Sequence, residues 1–257
     1  MKRALLILAT CLIGATALAG TYLEEEQRVS GITGAPPQTM VIKSWYEGDR
    51  VKKTLSAADF TFLIDLKTQK VLVVQDAQKT YWEVPPEVYQ MMTQASLQAF
   101  GVVRNPDGSL TVPRNVFQKT KNRRTIGRWQ AYEVNVATQL PNNGKVSIWF
   151  AEGVGLNQKD FVQTLRGAMA RSTPELERFY DEIAALPGYP VLSAATFDVN
   201  GQHVVLTQEV KLAQKRSIPA SEFAVPKDYK LVDSPLNARM MGGPAPASAP
   251  SKAAPTK

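Results

Sequence analysis

Short runs in which apolar and polar side chains alternate, set apart by polar turns, constrain this chain more than any other feature. In 60–66, Phe60, Phe62, Ile64 and Leu66 fall on one side of an extended backbone, with Thr61, Leu63 and Asp65 on the other. A polar turn at 67–69 leads into 70–76, and another at 77–79 leads into 80–84. A run at 40–46 reaches 50–55 through Glu47-Gly48-Asp49. Strands joined by turns this short lie antiparallel and form a meander. Further strands are predicted at 125–136 and 145–151, joined through Asn142-Asn143-Gly144, and at 191–200 and 203–213, joined through Asn200-Gly201. A closing segment at 223–231 completes the set.

Three segments read as helices. Pro85-Pro86 opens one that reaches about Phe100, with Val88, Met92, Ala95 and Ala99 on one stripe. Asn157 caps a second that runs to about Arg171, striped by Phe161, Leu165 and Met169. The third starts at Ser172-Thr173-Pro174-Glu175: proline suits a first helical turn, and Ser172 with Glu175 has the spacing of a capping box. Its apolar face is Leu176, Phe179, Tyr180, Ile183 and Leu186, and Pro187-Gly188 ends it. No long period repeats, and strands do not alternate strictly with helices. The expected fold is therefore α+β: a single domain with a large curved antiparallel sheet, an incomplete β-barrel, and helices plugging or covering its concave face.

The two ends stand apart from this body. Lys2 and Arg3 precede an apolar run of about 15 residues, and Ala17-Leu18-Ala19 precede Gly20, the anatomy of a Sec signal peptide cleaved after Ala19. The run is shorter than the roughly 20 residues that span a bilayer as a helix, so no membrane-spanning segment is expected after cleavage. Residues 235–257 are rich in Pro and Ala, hold no acid and lack apolar periodicity, so they read as a disordered tail. The organisation expected is a signal peptide at 1–19, one domain at 20–234 and a tail at 235–257, in a periplasmic protein.

Charge must be judged on the body alone. The chain has 30 basic and 23 acidic residues. Lys2, Arg3, Arg239, Lys252 and Lys257 lie in the ends, which leaves 25 basic residues against 23 acids, a net charge of +2. Nothing here supports nucleic-acid binding. Glu24-Glu25-Glu26, just inside the expected mature terminus, read as a solvated, mobile end.

The sequence is poor in reaction chemistry. Its one Cys, Cys11, lies in the leader, and its one His is His203, so the tetrahedral zinc ligand sets are missing and no metal or cofactor is expected. There is no G-x-S-x-G elbow, P-loop or dinucleotide fingerprint. His203, two residues past Asn200-Gly201, reads as a partly exposed strand residue. Carboxylate pairs keep a hydrolase open as a third option, yet the expectation is that the protein is not an enzyme.

Two groups of residues remain as candidates. Between 114 and 128 stand Arg114, Lys119, Lys121, Arg123, Arg124 and Arg128 with no acid, a solvated loop ahead of a strand or a contact for anionic headgroups or an acidic partner. Trp45, Phe62, Ile64, Val73, Trp82 and Trp149 lie on predicted strands and either line a cavity for an apolar ligand or form plain core.

Residues at the joints of these elements carry a resemblance. They are Ile64-Asp65-Leu66, Tyr81-Trp82-Glu83-Val84-Pro85, Gly127-Arg128-Trp129-Gln130-Ala131-Tyr132-Glu133-Val134, Trp149-Phe150-Ala151 with Gly155-Leu156, Gly188-Tyr189-Pro190-Val191, and Phe223-Ala224-Val225-Pro226-Lys227-Asp228-Tyr229-Lys230. In these the chain resembles a bacterial periplasmic family of unknown function with a half-barrel fold similar to the outer-membrane lipoprotein carriers. The resemblance implies a concave apolar face that holds acyl chains and transfers no catalytic residue. The function expected is non-catalytic binding of a lipid or other hydrophobic ligand, as carrier or sensor. The alternative is an envelope protein-interaction module with a packed interior, docking through a sheet edge or the basic stretch.

Overall fold

The computed structural model describes residues 20–56, 59–85, 88, 97, 100–136, 144–156, 162, 174–199 and 201–234. The strands are β1 (Gly20–Ser30), β2 (Gln38–Glu47), β3 (Arg50–Leu55), β4 (Phe60–Asp65), β5 (Lys70–Gln75), β6 (Thr80–Glu83), β7 (Val103–Arg104), β8 (Leu110–Thr111), β9 (Phe117–Ile126), β10 (Trp129–Val136), β11 (Lys145–Ala151), β12 (Tyr189–Val199), β13 (Gln202–Arg216) and β14 (Lys230–Leu231). Twelve of them form one sheet in the order β14-β6-β5-β4-β3-β2-β1-β13-β12-β11-β10-β9, and β7 and β8 pair separately. The large sheet is curved and does not close, since β14 and β9 are its two edges. Bulges beside Glu24/Glu25, Tyr132/Val134 and Trp149/Phe150 supply bends along it.

Two meanders, β1 to β6 and β9 to β13, join where β1 pairs with β13 from Gly20↔Arg216 to Ser30↔Val205. β1 also pairs with β2 along its other side, so it sits in the middle of the sheet. This corrects the reading of 24–26 as a mobile end. Backbone pairing on both sides holds the three glutamates extended, and Glu25 is only 7% exposed.

A second correction concerns the basic stretch, which is not a loop. It forms the edge strand β9, turns at Gly127-Arg128 and returns as β10, so the strand expected at 125–136 is split. Gly127 makes the turn with φ +55°, a conformation glycine adopts without strain.

An α-helix, α1, spans Pro174–Ala184. Its Leu176, Phe179, Tyr180 and Ile183 are fully buried against Tyr132, Val134, Val136, Ile148 and Phe150 of β10 and β11. The i, i+3, i+4, i+7 spacing puts those four side chains on one stripe, and that stripe anchors the helix to one face of the sheet. Val88, Leu97 and Val162 are helical and buried. The rest of the helices expected at 85–100 and 157–171, and the cap at Ser172, lie outside the described residues, as do 1–19 and 235–257.

After β13 the chain crosses back to the far edge, where β14 pairs parallel to β6 through Lys230↔Thr80 and Leu231↔Tyr81. Lys52 bonds Glu222 at 2.7 Å, the Arg50 guanidinium lies 4.9 Å from the Phe223 ring centre, and the Tyr229 hydroxyl donates to Asp76 at 2.8 Å. The closing segment is thus a strap across β3 to β6.

Candidate functional site

Beneath α1 the sheet and helix leave a cavity of 190 Å³. Its apolar wall is Phe100, Phe117, Ile148, Phe150 and Ile183. Phe100, Phe117 and Phe179 form a triangle of rings with centres 5.5 to 5.8 Å apart, so aromatic contacts fix this end of the cavity. The opposite wall is polar and comes from strands: Glu25 of β1, Tyr189 and Ser193 of β12, and Gln208 of β13.

Strand register explains why those residues meet. Gln208 pairs with Ser193 on one side and with Gln27 on the other, and Glu25 lies two residues from Gln27 on the same face. The Gln208 amide donates to Glu25 Oε1 at 3.0 Å. Tyr189 is buried, and this burial pushes its hydroxyl pKa well above the usual tyrosine range; the neighbouring Tyr46 and Glu25 and a hydrogen bond with Tyr46 push the same way. Tyr132, which donates to Pro187 O at 2.7 Å and so ties β10 to the end of α1, is pushed up to about 12 mainly by burial.

Phe62, Ile64, Val73 and Trp82 come together in a second apolar group with Phe60, Val71, Val84 and Val88. It occupies the same face of the sheet as the cavity, because Phe60 pairs with Leu55, Leu55 with Ile42, and Ile42 with Glu25. The Trp82 indole N–H has no hydrogen-bond acceptor among the described residues. None of these residues lines the cavity under α1, while Ile64 borders a second space of 190 Å³ with Arg50, Val51, Leu63 and Phe223.

Trp45 and Trp149 are corrections to the expected lining. Trp45 pairs with Lys52, which pairs with Leu63, so it takes the face opposite Phe62 and packs on Tyr22 at 5.1 Å. Trp149 pairs with Leu192, one residue from the cavity pair Ile148 and Ser193, so it also points away. The cause is strand parity: one residue of offset moves a side chain to the other face.

The six basic residues are all exposed, and among the described residues none has a carboxylate within salt-bridge distance. Four of them rest on aromatic rings instead. Lys119 and Arg123 lie 4.4 and 5.2 Å from the Tyr132 ring, Arg124 lies 4.0 Å from Trp149, and Arg128 lies 5.0 Å from Trp129. Ala131 is opposite Arg124, and its small side chain lets the guanidinium reach over β10 to the indole. Arg128 also donates to Ala213 O at 2.7 Å. The basic edge is thus divided between the two faces of the sheet and held by ring contacts.

His203 is exposed and 3.0 Å from Asp198 across the β12–β13 pairing, away from the cavity. Among the described residues no three His, Cys, Asp or Glu side chains cluster as metal ligands, and no helix is long and apolar enough to cross a membrane.

Sequence reasoning missed Glu25, Phe100, Phe117, Ile148, Phe150, Ile183, Tyr189, Pro190, Ser193 and Gln208 as cavity residues.

What fold and site define is an open antiparallel sheet carrying an amphiphilic cavity under a helix. No family model matches the sequence, and no curated protein matches it. Among solved structures the chain is similar to PNGF-II, at 12% identity and a TM-score of 0.39 over 87% of this chain, and it spans only 32% of that chain. It is similar to a LolA superfamily protein from Nitrosomonas europaea, at 9% identity and a TM-score of 0.31, covering 80% of this chain and 90% of that one. It is also similar to a DUF1329 family protein from Desulfovibrio piger, at 9% identity and a TM-score of 0.28, covering 82% and 91%.

Proposed function

We propose that this is a non-catalytic, exported periplasmic protein that holds a small hydrophobic ligand in the cavity under α1, as carrier or sensor. The observation that carries the reading is the 190 Å³ space walled by Phe100, Phe117, Ile148, Phe150 and Ile183. An apolar cavity of about 150 Å³ accommodates a molecule the size of benzene. Each buried methylene contributes about 0.8 kcal/mol, so a short alkyl chain gains several kcal/mol before the cost of association.

Native mass spectrometry of the protein purified from periplasm without detergent, followed by solvent extraction, tests this. The expected result is a stoichiometric apolar adduct that disappears in Ser193→Trp, whose indole fills the space. A clean apo mass, unchanged after incubation with membrane lipids, overturns the reading. The same spectrum reads the terminus, since cleavage after Ala19 leaves Gly20 first.

In this reading the basic edge meets anionic headgroups of the membrane that supplies the ligand. Each Lys or Arg near an anionic surface contributes about 1 kcal/mol. Replacing Lys119, Lys121 and Arg123 together with Gln is expected to weaken adsorption to phosphatidylglycerol vesicles about 100-fold at low salt. Unchanged adsorption would favour the second reading, a protein-interaction module, which draws its support from the exposed edge of β9.

A further inference from the structure

The polar wall of the cavity has an unusual composition for a site that takes a simple hydrocarbon or a fatty acid. Glu25 lines it at 7% exposure, in the middle of the sheet. A carboxylate has about four acceptor positions. Its one hydrogen bond among the described residues is the 3.0 Å donation from Gln208, and no Lys, Arg or His described lies within salt-bridge distance. A carboxylate removed from water without a cation or a full set of donors is costly. The same acid repels any carboxylate or phosphate brought against it. Around it, Ser193 and Tyr189 offer hydroxyls and Gln208 an amide, and none of these three carries a positive charge.

We infer that the cavity selects a ligand with a short apolar body and a cationic amine, the ammonium lying on Glu25 and Ser193 and the body on Phe117, Ile148, Phe150 and Ile183. This rests on the reading of the cavity as a ligand site and names its ligand class. An ammonium supplies three donors and a positive charge, the complement of a carboxyl group with open acceptor positions. The basic edge is separate, because its cations are exposed on β9 and none of them lines the cavity.

The test uses three probes with the same alkyl chain, n-octylamine, 1-octanol and octanoate, titrated calorimetrically into the purified protein at neutral pH. A hydrogen bond to a charged group is typically enough for tenfold or more in affinity. Octylamine is expected to bind about tenfold tighter than 1-octanol, with octanoate weakest. Glu25→Gln, which keeps the shape and an acceptor for Gln208, is expected to bring octylamine to the affinity of 1-octanol while 1-octanol changes less than about threefold. Octanoate binding as tightly as octylamine overturns the inference, and so does a Glu25→Gln protein that keeps its preference; both leave the cavity itself as a ligand site. Binding of none of the three overturns the cavity reading and this inference together. If Glu25→Gln does not fold, the ratio of amine to carboxylate in the unaltered protein decides.

Discussion

Replacing Phe179 with Ala is expected to lower the unfolding free energy by about 3–5 kcal/mol, the loss of a fully buried aromatic side chain. Phe179 is fully buried, sits at the middle of the apolar stripe of α1, and touches the rings of Phe100, Phe117 and Tyr180. Its removal takes away a large transfer term and also the ring contacts that hold the first residue of β9 to the helix. The space left would merge with a cavity already present, so collapse of the surroundings is poor and the cost falls toward the upper end. Urea denaturation monitored by circular dichroism measures it, and the melting temperature should drop by about 10 °C in a domain of this size. A loss below about 1 kcal/mol would mean that α1 does not anchor on the sheet as described.

Gly188→Ala is expected to cost about 2–5 kcal/mol, although it adds one methyl group. Gly188 follows α1 and leads directly into β12, with φ +88°. An added Cβ would lie 2.3 Å from Ala151 O and 2.6 Å from its carbonyl carbon, both backbone atoms at the end of β11. The left-handed conformation alone disfavours an L side chain by about 1–2 kcal/mol. The clash adds to this because neither strand can shift freely: Ala151 is paired with Ala131 on one side and with Tyr189 on the other. Since Tyr189 and Pro190 line the cavity, the proposed ligand site predicts weaker 1-octanol binding in this variant as well, measured below the melting transition to separate the two effects. Full stability in Gly188→Ala would contradict the close approach of β12 to β11 at this point.

Much of the sheet was legible from local pattern. The hairpins from β2 to β6 and the β12–β13 pair follow from alternation and from the short connections between them, which need no distant partner. Helix α1 was equally legible, since Pro174 and the spacing of Leu176, Phe179, Tyr180 and Ile183 are local facts. The strands that escaped are those whose own pattern is weak. β1 carries three consecutive glutamates and is a strand because β2 and β13 pair with both its sides. β9 is exposed almost throughout and interrupted by a bulge opposite Glu133, so neither face shows a clean apolar row.

By itself, then, the amino-acid order determined the class of structure: antiparallel strands, an amphipathic helix, ends unlike the body, and a sequence without thiol, metal and nucleophile motifs in its body. These follow from backbone preference and from side-chain periodicity, which act within a few residues. Only the tertiary structure decided the face on which each side chain falls, and it separated Trp45 and Trp149 from Phe62 and Trp82. It also brought Glu25 to Gln208 and set both opposite Phe150, across 183 positions of sequence in the first case. Register between strands, and the placing of α1 over them, are set by the joint burial of many apolar side chains, a property of the whole fold that no local spacing carries.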